Sequence, residues 1–272
     1  IGEENGYLRL FDFIDKMDTY QEDLIFMHFK GQALLNKFSI TKARLYNNIL
    51  RSLDSFNANT SHDAQLFRSI HCADILYNKG LYKQCEKLLK SAEKQARKYE
   101  RFNLLLEIKQ KQKRLIENEL YTEIKAAQIT KMFEEEKAVI DEIRTYHELW
   151  NVKSLLFQEI NMKGNIREEE EVLKLKSLVD RIAGVDIAKY SKKINYLFHH
   201  IHAAYYFSVN DLENSYVHLD ANISLLEEDS TTFKNRPNVY FSLLTNIIYV
   251  STRLKKYEEA QDFLSRLKNL ST

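Results

Sequence analysis

Gly80-Leu81-Tyr82-Lys83-Gln84-Cys85, running on through Leu88, Leu89 and Ala92, recurs near the C-terminus as Lys255-Lys256-Tyr257-Glu258-Glu259-Ala260 with Phe263, Leu264 and Leu267. A third copy reads Asn210-Asp211-Leu212-Glu213-Asn214-Ser215 with Leu219. Each begins with turn residues and continues with apolar residues at helical spacing, the mark of a loop opening into an amphipathic helix. Weaker copies stand at Phe38-Ser39-Ile40-Thr41-Lys42-Ala43, at Gly164-Asn165-Ile166-Arg167-Glu168-Glu169 and around Tyr121 to Ile124. With Ala43, Cys85, Ile124, Glu169, Ser215 and Ala260 taken as equivalent, the copies fall 39 to 46 residues apart. A period of that length in a helical sequence predicts a repeat architecture.

The composition around these copies agrees. Among 272 residues there are 6 Gly and 1 Pro, where average usage is about 7% and about 5%, so a fold built on many tight hairpin turns is excluded. Apolar residues keep helical spacing elsewhere, as in Leu66, Ile70, Ala73 and Tyr77 or Leu197, Ile201, Ala204 and Ser208. The interruptions are short and polar, at 57–61, 78–80, 163–165, 210–211 and 229–237. Thr60 and Ser61 ahead of Asp63 read as a helix N-cap, and Pro237 as a helix start. About thirteen helices are expected from this pattern.

The copies resemble the tetratricopeptide repeat family, whose unit is a helical hairpin with a Gly-x-Tyr-x-x-Ala turn and a small residue in the first helix. The resemblance spans residues 20–272. Small residues stand at the first-helix position in Gly31, Ala73 and Ala203, while Gln112, Phe157 and Ile248 occupy it in the other units. The family unit is about 34 residues, so this is a divergent, long-helix version. Two antiparallel helices approach closely only where facing side chains are small, so Ala73 is expected against Cys85 and Ala203 against Ser215. A single hairpin cannot bury both its apolar faces, so neighbouring units stack. The expected fold is all-α: a single domain over 1–272 forming a right-handed α-solenoid of about six helical hairpins. Residues 1–19, with Tyr7 to Met17 at their apolar centre, cap the first unit.

The resemblance implies a concave face lined by the first helix of each unit and used to bind peptides or partner segments. Carried onto this chain, the lining positions are His28 and Gln32, Asp74 and Tyr77, Lys109 and Lys113, Ser154 and Gln158, His200 and Phe207, and Thr245 and Tyr249. The Lys and Asn set with which some members clamp a C-terminal carboxylate is lacking, since His28, Gln32, Ile70 and Asp74 stand there. A protein or peptide segment is the expected partner, and exposed stack ends could also pair two copies. A second reading is the ligand- or peptide-sensing part of a bacterial signalling or transcription regulator whose output module lies outside this sequence.

Other chemistry finds little footing. His199, His200 and His202 cluster on one helix, but no Glu-x-x-His or His-x-x-x-His accompanies them, so no metal is expected; His200 is read as facing the groove and His199 a neighbouring helix. Cys72 and Cys85 have no activating base nearby, and Cys85 suits a buried crossing point. There is no phosphate-cradling glycine loop, no Gly-x-Ser-x-Gly and no His-Glu-x-x-His, so neither an enzyme nor a cofactor is expected. The run Tyr205, Tyr206, Phe207 reads as core rather than a stacking box. Residues 79–114 carry twelve Lys plus Arg against four Glu, with Lys83, Lys87, Lys90 and Lys94 along one helix face. That stripe is the nucleic-acid candidate, yet it lies opposite the apolar Cys85, Leu89 and Ala92 and reads as a solvated outer face. A net charge of +1 supplies no bulk field toward nucleic acid or membrane. No apolar run spans a bilayer and no secretion signal opens the chain, so a cytoplasmic location is expected. The first residue is Ile1 rather than Met, which predicts a segment upstream.

Overall fold

The computed structural model describes residues 3–57, 61–122, 124–163, 168–228 and 237–270. Of the sequence signals above, Thr60, the Gly164 to Arg167 turn and most of the 229–237 break lie outside them. Twelve α-helices and two short 3-10 turns make up the elements, with no strand among the described residues. No described helix is long and apolar enough to cross a membrane. The chain divides into two compact units, Ile1–Arg68 and Ser69–Thr272.

In the first unit, α1 (Glu3–Asp15) and α2 (Glu22–His28) are followed by a 3-10 turn (Ala33–Leu35) and α3 (Phe38–Asn57). Leu10 of α1 packs with Ile25, Phe29, Phe38 and Leu45 in one core. The hairpin reading needed a long helix through Gly31 here, and the structure corrects it. Helix α2 stops at His28, and Gly31 has φ 78°, a left-handed conformation that only glycine takes without strain. Gly31 therefore lies in the turn after α2 and does not mark a helix crossing.

Helix α4 (His62–Asn78) crosses the boundary, its N-cap Ser61 accepting from the Ala64 N–H. The second unit continues with α5 (Tyr82–Lys98), α6 (Phe102–Asn118), α7 (Ala126–Lys163), α8 (Glu169–Asp180), a 3-10 turn (Ile187–Lys189), α9 (Lys192–Ser208), α10 (Leu212–Glu228), α11 (Pro237–Arg253) and α12 (Tyr257–Asn269). Consecutive helices pack against each other, as in a helical-repeat fold. One core joins Leu149, Val152 and Leu156 of α7 to Leu175 of α8 and Ile194 of α9. The next joins Ala203 of α9 to Leu219 and Ile223 of α10, Leu244 of α11 and Phe263 of α12.

Five of the described turns are copies of one another. Gly80, Glu100, Leu120, Asn210 and Lys255 all have φ between 51° and 71°. After each, the next N–H reaches back to the carbonyl five residues earlier: Leu81 to Leu76 (2.9 Å), Arg101 to Ala96 (2.8 Å), Tyr121 to Ile116 (3.1 Å), Asp211 to Tyr206 (2.8 Å) and Lys256 to Ser251 (2.9 Å). This is the Schellman arrangement, which satisfies the last helical carbonyls. Three of the five are the turn residues of the sequence copies, so the quoted motif is the helix stop itself. Lys255 is exposed and holds this conformation without a glycine's freedom. Lys255→Gly should therefore stabilise the chain by about 0.5–1 kcal/mol, read as a thermal midpoint about 2–3 °C higher.

The predicted crossing points are in place. The Cys85 thiol donates to the Ala73 carbonyl at 3.2 Å, and the Ser215 hydroxyl donates to the Ala203 carbonyl at 3.1 Å. In both hairpins a small polar side chain on the second helix is bonded to the backbone of the first, twelve positions upstream. The six-hairpin spacing also needed a turn between the third and fourth units, and here the structure differs. Residues 126–163 form one helix of 38 residues, with no glycine or proline among them. Its first half packs on α6 and its second half on α8 and α9. The start of α9 is then tied to two earlier elements. Glu100 accepts from the N–H groups of Lys192 (3.0 Å) and Lys193 (3.2 Å), and Glu142 from that of Ser191 (3.3 Å).

Candidate interaction surface

Within the second unit the lining positions do not share one face. In the first unit, His28 is exposed and stacks on Phe13 at 4.1 Å, while Gln32 sits in extended backbone beyond the end of α2. The two are not on successive turns of one helix. Asp74 and Tyr77 of α4 face α6: the Lys111 ammonium lies 2.7 Å from Asp74, and the Arg114 guanidinium lies over the Tyr77 ring at 3.9 Å. Lys109 and Lys113 leave α6 on another side and pair with Glu135 and Glu136 of α7. At about 100° of rotation per residue, Lys111 and Arg114 cannot point where Lys109 and Lys113 do. On α7, Ser154 donates to the Trp150 carbonyl at 2.9 Å and Gln158 is exposed.

His200 does not open into a groove. It lies between the rings of Phe157 (5.2 Å, 20°) and Tyr196 (5.7 Å, 11°), binding α9 to α7. Burial, with the Lys153 ammonium adding to it, brings its imidazole down to about 4. His199 does face a neighbouring helix, as expected, and its partner is His218 of α10. Sequence reading missed His218. The hairpin register held the clue: with Ala203 opposite Ser215, a residue one turn before the first meets one a turn after the second. Among the described residues no three His, Cys, Asp or Glu side chains converge as a metal site. The Cys85 thiol is pushed up by burial, with Asp74 adding to the effect, which leaves it a weak nucleophile.

Two of the lining positions, from different units of the repeat pattern, do meet at the surface. Phe207, at the end of α9, and Tyr249 of α11 pack edge to face with centroids 5.8 Å apart, yet remain 47% and 49% exposed. Arg253, one turn beyond Tyr249, donates to its hydroxyl at 2.9 Å. Thr245, one turn before, donates to the Phe241 carbonyl and is exposed. This seam presents aromatic faces with a guanidinium beside them, a combination enriched where proteins bind one another.

A cleft of about 760 Å³ opens between α5, α6 and α7, lined in part by Tyr82, Gln112, Ile116 and Met132. Its lining includes an ion cluster centred on the buried Lys109. The Lys109 ammonium, 3% exposed, lies 2.9 Å from Glu93 and 2.6 Å from Glu135, and Arg97 bridges the same two carboxylates at 2.9 and 3.3 Å. Burial alone would raise Glu93, but hydrogen bonds from Gln112, Lys109 and Arg97 outweigh it and hold the carboxyl at about 2. Lys109 thus serves as an internal counter-ion rather than an exposed lining group. The basic stripe lies where expected: Lys83, Lys87, Lys90 and Lys94 are exposed on α5, opposite buried Cys85, Leu89, Ala92 and Ala96. Lys90 is paired with Glu86.

Compared with protein-family models, with curated proteins and with solved structures, the chain matches none.

Proposed function

We propose that the chain is a non-enzymatic interaction module, a divergent tetratricopeptide-like α-solenoid, which holds a protein or peptide segment over the Phe207–Tyr249 seam. The observation that carries this reading is the seam itself: two residues assigned to the lining from the repeat pattern, 42 positions apart, meet as half-exposed rings on adjacent repeat units. Support for the solenoid comes from the repeated Schellman turns and the paired crossings at Ala73 with Cys85 and Ala203 with Ser215. Half-exposed aromatic rings contribute little to the fold and much to an interface, because a partner would complete their burial.

Selection of a random displayed peptide library on the immobilised chain tests the reading. An enriched sequence family should emerge, and the affinity of its synthetic members, read by fluorescence anisotropy, should fall at least tenfold in a Phe207→Ser, Tyr249→Ser variant. That loss corresponds to about 1.4 kcal/mol or more. Thermal stability should change by only about 1 kcal/mol. No enrichment, or binding indifferent to the two substitutions, removes the proposal.

A further inference from the structure

Helices α9 and α10 meet through a stack of imidazoles. The Nδ1 atoms of His199 and His218 are 2.8 Å apart. His202 stacks on His218 at 4.9 Å and gives its Nδ1–H to the Phe198 carbonyl at 2.9 Å. Phe198 closes one side at 4.1 Å from His202, and Tyr206 stacks on His218 at 5.6 Å. A nitrogen-to-nitrogen contact of that length is a hydrogen bond only if one ring donates and the other accepts, so at least one imidazole must be neutral. Two imidazolium rings would oppose N–H to N–H.

Among the described residues no counter-charge is aimed at the stack. From α8, Lys176 and Asp180 pair with each other at 2.7 Å and act on Tyr205 and Tyr206. From α7, Lys153 acts on His200. Asp211, at the turn, accepts from the Asn214 N–H at the start of α10. On the side facing α11 and α12, Asp220, Glu259 and Lys256 act on Tyr216, and Lys256 pairs with Glu213. The charges that act on the three histidines are their own: burial first, then mutual repulsion, keeps His218 near 4 and His199 below the usual imidazole range, while burial lowers His202 against its Phe198 bond.

We propose that the α9–α10 hairpin is an acid-sensitive joint: proton uptake by the His199, His202 and His218 stack breaks the imidazole pair, parts the two helices and draws Phe207, next to Tyr206 on α9, away from Tyr249. The direction follows from linkage. These groups bind protons more weakly folded than unfolded, so their stabilisation is whole above about pH 6.5 and is lost as pH falls below it, for His218 down to about 4. The joint goes beyond peptide binding, and its test does not use binding.

Amide hydrogen exchange of the full chain, corrected for intrinsic rates, is compared at pH 7 and pH 5. Protection across 196–224 should fall at least a hundredfold, while that across 82–116 falls less than tenfold. In a His199→Leu, His218→Phe variant, which keeps ring and aliphatic bulk, at least tenfold of that loss should be recovered. Equal responses of the two segments, or a variant with undiminished acid loss, overturn the joint. Should the variant fail to fold, imidazole NMR titration of the unaltered chain decides. The three rings should still be neutral at the ordinary imidazole midpoint of about pH 6.5 and lose their native signals together at lower pH. Independent titrations near 6.5 with native signals intact overturn the proposal.

Discussion

An Ala203→Trp chain is expected to melt about 6–12 °C below the unaltered one. Ala203 is 5% exposed, and its carbonyl accepts from the fully buried Ser215 hydroxyl. At that contact the two helix backbones are separated by little more than one methyl group and one hydroxymethyl group. An indole there must push α9 from α10, breaking the bond at 3.1 Å and opening the core shared with Leu219 and Ile223. Overpacking of this kind costs about 1–3 kcal/mol, with the broken buried hydrogen bond adding about 1–3. At about 2–4 °C per kcal/mol for a unit of this size, a loss near 3 kcal/mol gives the quoted fall. Calorimetry or thermal circular dichroism reads it. Cys85→Ser is the matching control: Ser215 already holds the equivalent place in its hairpin, so a hydroxyl bonded to the Ala73 carbonyl should leave the midpoint nearly unchanged. An unaltered midpoint in Ala203→Trp would mean that this pair is not a tight crossing.

The second large effect is expected at Lys109. Lys109→Met keeps the bulk of the side chain but leaves Glu93 and Glu135 without the ammonium between them. Removing one member of a fully buried ion pair costs about 3–5 kcal/mol; here Glu135 is 34% exposed and Arg97 still bridges both carboxylates, so the cost should fall below that range, at about 1–3 kcal/mol. The pH dependence should change as well. Glu93, held at about 2 against an ordinary value of 4.5, contributes roughly 3 kcal/mol of stability. Its folded pKa is depressed, so that contribution is present above about pH 4.5 and is lost as pH falls through 2. In the Lys109→Met chain the carboxyl should rise and this acid dependence should shrink. Chemical denaturation at pH 7 and pH 3 tests both points. Equal stability of the two chains at pH 7 would show the cluster to be energetically idle.

What could be read from the sequence followed the distance over which each feature is set. The helix stops at Gly80, Asn210 and Lys255 were legible because a Schellman turn is closed by hydrogen bonds within six residues. The Ala73 to Cys85 and Ala203 to Ser215 crossings were legible for a related reason, since a short hairpin fixes its own register. At Gly31 the same signal misled: a glycine suits both a helix crossing and a left-handed turn, and the residue alone does not say which. The long α7 was hidden by the assumption of a uniform period. The division of α6 between Asp74 and Tyr77 on one side and Glu135 and Glu136 on another depends on how that helix is rotated among its neighbours.

By itself the sequence determined that this chain is helical, where several of its helices stop, and which small residues let paired helices touch, because these depend on local backbone bonding and on side-chain size. Tertiary packing decided that Lys109 is an internal counter-ion, that His200 is wedged between rings, that His218 joins His199 and His202, and that Phe207 and Tyr249 form a surface seam. Each needs residues from different helices to converge. Rotation of a helix by a single position turns a side chain by about 100°, and only contacts across the whole unit fix that angle.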